Sequence, residues 1–229
     1  MTIDVRRAAD RFVTRAAGRT TWHSFSFGRH YDPDNVGFGA MTALNDERLP
    51  PGTGYPDHPH RDVEIVTVVL SGALRHSDSS GRSGVLVPGQ LSRTSAGSGV
   101  VHAEVAAPGV APGVATRFVQ TWLRPDEPGG APSYLSATVG APAGLAEVVG
   151  PGGAVGIGTA GARLFLGHVE AGLLDLPAAH LLHVFSAGAV ASLAGHELHP
   201  DDAARLTGDA DPTLDVTRPG LLLVWALTR

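Results

Sequence analysis

The sequence predicts an all-β protein, and three observations carry that prediction. Gly and Pro number 30 and 17 of 229 residues, about a fifth of the chain, short of the ~25–30% that marks disorder. They fall between short apolar runs of strand length, where turns belong. One pattern of strand, turn and strand also recurs in the second half, which reads either as two related parts or as the general look of β-barrels.

The elements follow in order. From Trp22 to Trp122 the strand-like segments are WHSFSFG, FGAMTAL, EIVTVVL, GVLVPGQL and RFVQTWL, with a turn at DPDN between the first two. Residues 126–161 are rich in Gly, Ala and Pro and read as a crossover with one weak strand. The boundary is placed within that segment, giving a first part over residues 1–134 and a second over 135–229. RLFLGHVEAG, HLLHVFSAGAV and LLLVWAL then resume the strand pattern, and PDDAARL reads as a short helix or turn. The recurrence pairs VTVVLSGALRH and VLVPGQLSRT with LHVFSAGAVAS and ELHPDDAARLT.

Composition excludes several chemistries. There is no cysteine, so disulfides, thiolate metal sites and a cysteine nucleophile are absent. All 17 basic residues are Arg, which removes lysine Schiff bases and a lysine phosphate loop. A net charge of -5 with dispersed arginines leaves no electrostatic footprint for direct contact with nucleic acid. The longest apolar run, LLLVWAL from Leu221, is far short of the ~20 residues that span a bilayer, so no membrane partner is expected. Arg6 and Arg7 resemble a twin-arginine signal, but Asp4, Asp10, Arg11 and Arg15 deny it an apolar core, and a cytoplasmic protein is expected.

Two short motifs carry the chemistry. His58 and His60 lie two apart in DHPH; on a strand they share a face and can present both imidazoles to one ion. His102 and Glu104 in VVHAEV repeat the arrangement. Two such pairs on neighbouring strands supply three nitrogens and a carboxylate, donors suited to Fe(II), Mn, Ni, Cu or Zn, with positions left for substrate or dioxygen. Glu64 competes with Glu104 if the chain turns at Arg61 and Asp62, since on an uninterrupted strand it would lie ~13 Å beyond His60. His76, His168, His180, His183, His196 and His199 read as surface or hydrogen-bonded strand residues. HELH at 196–199 has the wrong spacing for a metalloprotease helix, and His23 and His30 read as packing.

The spacing from Gly52 to His58 and His60, the later run Gly97 to His102, and the stretches HSFSFGRHYDPDNVGFG, DHPHRDVEIVTVVLSG and SAGSGVVHAE resemble the metal motifs of the cupin superfamily, and within it the pirin family. The resemblance covers about Trp22 to Trp122. It implies a bicupin, two antiparallel β-barrels packed face to face, the first (1–134) holding one divalent metal, most consistent with Fe(II), and the second (135–229) without one. It places the ligands at His58, His60, His102 and Glu104, favouring Glu104 over Glu64. It further implies a quercetin 2,3-dioxygenase-like reaction between O2 and a small aromatic substrate, in which Glu104 accepts the substrate's hydroxyl proton and Phe25, Phe27 and Phe38 are candidate wall residues. The alternative it carries is a regulatory binding role with a protein partner, as a transcription cofactor or companion of a metabolic enzyme.

Overall fold

In the computed structural model, residues 1–229 are described except 17, 108–112, 141, 210–211 and 229. β-Branched and aromatic runs between glycine turns form β1 (Thr2–Arg6), β2 (Phe12–Ala16), β3 (Arg19–His23), β4 (Met41–Leu49), β5 (Gly54–His60), β6 (Glu64–Ser71), β7 (Leu74–Asp78), β8 (Ser83–Leu86), β9 (Gln90–Ser95), β10 (Val100–Ala106) and β11 (Thr116–Leu123). After these come β12 (Ser133–Thr138), β13 (Ala146–Val149), β14 (Arg163–Val169), β15 (Gly172–Asp175), β16 (Leu181–Ser186), β17 (Val190–Leu193), β18 (His196–Leu198), β19 (Ala203–Thr207), β20 (Thr213–Arg218) and β21 (Gly220–Leu227). Among the described residues the only helical element is a 3-10 turn, Ala8–Asp10, and no helix is long and apolar enough to cross a membrane.

The strands make two barrels, each from a larger and a smaller sheet. The first combines a seven-stranded sheet, β12-β9-β6-β11-β4-β3-β2, with a four-stranded one, β5-β10-β7-β8. The second combines β1-β19-β16-β21-β14-β13 with β15-β20-β17-β18. The central order β9-β6-β11-β4 reappears as β19-β16-β21-β14, and β5-β10-β7-β8 as β15-β20-β17-β18. The sequence recurrence is therefore the repeat of β6 to β9 in β16 to β19.

Three details depart from expectation. β1 pairs with β19, so the N-terminus is an edge strand of the second barrel. The boundary expected at residue 134 falls inside β12, which pairs with β9, and the crossover holds a second strand, β13. PDDAARL, expected as a helix or turn, is a turn only at its start; its Ala-Ala-Arg-Leu half is strand β19, because it completes a ladder with β16.

The large sheets face each other across the main core. Leu44, Val66, Val68 and Leu123 of the first barrel pack against Leu164, Phe185, Leu223 and Trp225 of the second. A polar contact crosses the same seam: Arg117, held by Asp46 of its own sheet at 2.9 and 2.8 Å, donates to Asp201 of the second barrel at 2.5 Å. Alternation puts the other face of each strand inside its own barrel. The second barrel's interior is apolar, with Leu182, Val184, Leu214, Val216, Leu222 and Val224. In the first, apolar packing is confined to a smaller cluster around Leu49, Val69, Leu74 and Phe118, and much of the interior is polar.

Candidate metal centre

β5 and β10 lie side by side in antiparallel register, with His102 opposite His58 and Val100 opposite His60. Their close approach needs Gly54, where an added Cβ would overlap the Glu104 carbonyl oxygen. His58 and His60 turn to the same face, and the three rings cluster with centroids 4.4 to 4.8 Å apart. One ligand atom from each of His58, His60 and His102 lies within 4.8 Å of the others.

The nitrogens are in the state a metal requires. His60 Nε2 and His102 Nε2 are buried with no hydrogen-bond partner, an arrangement costing about 1–3 kcal/mol per group unless something binds there. His58 Nδ1 donates to the Pro56 carbonyl at 2.8 Å, leaving the Nε2 lone pair free. Burial, reinforced by the neighbouring imidazoles, pushes His102 down to about 3; burial and His58 push His60 down to about 4. Both are neutral at pH 7, so their lone pairs are available.

A register shift between His102 and Glu104 sets Glu104 opposite Tyr55 and His76, and its carboxylate enters a cavity that His58 and His60 also line. Glu104 is buried, and Gln120 Nε2 donates to both of its oxygens at 3.1 and 2.9 Å. Burial raises its pKa to about 7, with Gln120 opposing the rise. Gln120 is itself anchored by Trp122 Nε1, which donates to its Oε1 at 2.8 Å. His58, His60 and His102 form one group of ligand atoms, and Glu104 groups with His102 and His76; nitrogen and oxygen donors with no sulfur fit a divalent transition metal.

Glu64 takes no part. The chain does turn at Asp62, whose φ is 51°, but Glu64 points out of the barrel and accepts from Ser95 Oγ at 2.8 Å and from the Gly158 amide at 3.2 Å. Of the three candidate wall residues, Phe27 lines the cavity with Trp122, whereas Phe25 and Phe38 pack in the seam between barrels. His183 also corrects an expectation: it is fully buried in that seam near Phe25 and Phe38, and neither ring nitrogen has a partner. His168, His180, His196 and His199 are exposed.

His76 is the residue the motifs concealed. It is buried behind His102, stacked on Tyr134 at 4.2 Å, and paired with Asp78 at 3.1 Å. Asn45, Glu47 and Gln120 also line the cavity from the strands of the seven-stranded sheet. Inward alternation on β4 and β11 was the available signal for them, but only the strand order brings them opposite β10. In the second barrel Leu214 faces Leu174 on the strands equivalent to β10 and β5, and no imidazole or carboxylate cluster occurs there among the described residues.

The pirin family model matches residues 5–123. A Mycobacterium tuberculosis protein provisionally named as a quercetin 2,3-dioxygenase is 41% identical over 236 residues, covering 99% of this chain and 95% of its own length. The Escherichia coli quercetin 2,3-dioxygenase is 35% identical over 151 residues, 65% of this chain and 63% of that protein. Among solved structures, Escherichia coli YhhW matches with a TM-score of 0.91 at 25% identity, over 99% of this chain and 97% of that one. A nickel(II) complex of the same bacterial pirin matches with a TM-score of 0.88 at 24% identity, with both chains fully covered.

Proposed function

Because the chain belongs to the pirin family, we propose that it is a metal-dependent dioxygenase that opens the ring of a flavonol or a related ortho-oxygenated aromatic compound with O2. His58, His60, His102 and Glu104 would hold the metal. Fe(II) suits this set and leaves positions open for substrate; Mn, Ni, Cu and Zn suit the same donors. The bound ion supplies Lewis acidity, a template for the substrate oxygens and a redox relay to dioxygen.

The observation that carries the reading is the gathering of imidazoles beside a buried carboxylate in and around a cavity with aromatic walls. Phe27 and Trp122 meet edge to face, ring centroids 5.1 Å apart, and offer an apolar slot for an aromatic ring. Glu104 would take the substrate's hydroxyl proton, a role supported by its lining the cavity with both carboxylate oxygens held by Gln120.

Oxygen uptake and carbon monoxide release, measured with each metal in turn across a panel of flavonols and catechols, test the proposal. We expect both gases to change together with at least one metal. Silence across the panel would transfer the site to the regulatory, metal-binding reading.

A further inference from the structure

Two polar side chains in the cavity have no place in the donor set. Asn45 and Glu47 share the inward face of β4 and are each 3% exposed. Both are held in a fixed orientation from behind.

Asn45 Oδ1 lies 2.8 Å from His23 Nδ1, and Thr14 Oγ1 lies 2.9 Å from His23 Nε2 and 3.1 Å from His30 Nε2. Burial lowers the His23 pKa, so the ring is neutral and carries one proton. With the Thr14 hydroxyl donating to Nε2, that proton sits on Nδ1 and is donated to Asn45 Oδ1. The amide is thereby oriented, and Nδ2, for which the described residues provide no acceptor, is left to the cavity as a donor.

Glu47 is the complementary acceptor. Thr21 Oγ1 donates to Oε2 at 2.6 Å and the Tyr55 hydroxyl donates to Oε1 at 2.9 Å, which leaves each oxygen a second lone pair. A buried donor beside a buried acceptor matches a group that both accepts and donates. Among the oxygens of an aromatic substrate, that group is a free hydroxyl.

Size narrows the ligand further. The cavity measures about 160 Å³, below the ~300–1,000 Å³ of sites that enclose drug-sized ligands, so one ring enters and the rest of a larger molecule stays outside. We propose that Asn45 and Glu47 determine specificity by clamping a free hydroxyl on that ring, in addition to the oxygen pair that faces the histidine cluster. The substrate class is a single ring carrying three oxygens, or a larger molecule presenting one. This inference rests on the dioxygenase reading, whose metal it uses as the second anchor.

Catechol, pyrogallol and 3-methoxycatechol are the probes, titrated calorimetrically and without oxygen into the Zn(II)-loaded full chain, where no turnover competes. Burial raises the Glu47 pKa to about 7, so the titrations are run above that pH, where we expect pyrogallol to bind about 10–100-fold more tightly than 3-methoxycatechol, the worth of a hydrogen bond to a charged group. Glu47→Gln should erase most of that preference, and Asn45→Asp, which removes the donor that a hydroxyl and a methoxy oxygen both accept from, should weaken pyrogallol and its methyl ether together, each variant leaving zinc content and catechol affinity unchanged. Asn45→Asp keeps an oxygen for His23 and exchanges the donor for a second acceptor, so it separates recognition from loss of the His23 contact. Equal affinity for pyrogallol and its methyl ether, a preference that survives Glu47→Gln, pyrogallol affinity unmoved by Asn45→Asp, or no binding of pyrogallol overturns the clamp. Pyrogallol preference that is identical with and without zinc upholds the clamp and tells against the metal-centred reading instead.

Discussion

His76 Nδ1 stands 3.4 Å from His102 Nδ1, and His76 Nε2 stands 3.1 Å from Asp78 Oδ2. The chain has one consistent proton arrangement with neutral rings. Asp78 accepts from His76 Nε2, His76 Nδ1 accepts from His102 Nδ1, and His102 Nε2 is left with its lone pair toward His58 and His60. A carboxylate thus sets the tautomer of a candidate ligand through an intervening imidazole.

His76→Phe keeps the stacking on Tyr134 and removes the acceptor for His102. It should weaken metal affinity about 10–100-fold, as loss of a ligand's hydrogen-bond partner does, with little change in folding. Competition against a chelator of known affinity measures it; unaltered affinity would reduce His76 to a packing residue.

The two glutamates should separate cleanly. Glu64→Gln is expected to retain full metal loading and to cost about 1–3 kcal/mol of stability, since Glu64 fastens the Gly158 segment to β6 and β9. Glu104→Gln should lower metal loading or turnover strongly. Elemental analysis and denaturant midpoints on both variants decide, and the opposite ranking would mean that Glu64 is the ligand.

One metal per chain is expected. His58→Ala with His60→Ala should abolish loading, while replacing the exposed His180, His196 and His199 together should leave it intact. A stoichiometry of two per chain, or loading lost in the triple variant, would place chemistry in the second barrel.

His183 gives a pH dependence independent of the metal. Burial, then the charge of Arg205, lowers its pKa from 6.5 to about 3. A depressed folded pKa contributes stability that is present above 6.5 and lost as pH falls toward 3, because the unfolded chain takes up the proton first. Relative to His183→Leu, the natural protein should lose up to about 1.4 kcal/mol per pH unit on acidification below 6.5. Urea midpoints of both proteins at several pH values test this, and parallel curves would contradict it.

What the sequence determined by itself is local. The period of two along a strand puts His58 with His60, and His102 with Glu104, whatever the rest of the chain does. Turn glycines and β-branched runs likewise mark β6, β8 and β16 without reference to partners, whereas β19, read as a helix or turn, needed its neighbour β16. Strand neighbours are not local. Tertiary structure decided that β5 lies against β10 and β7 against its other side, which sets His76 behind His102 and Glu104 within reach of Gln120. It also sent Glu64 out of the barrel despite the turn at Asp62, moved Phe25, Phe38 and His183 into the seam, and gave β1 to the second barrel. The physical reason is that each of these placements depends on which strands pair and which sheet covers which face. That choice is made by burying apolar area and satisfying hydrogen bonds over the whole molecule, not by any short stretch of residues.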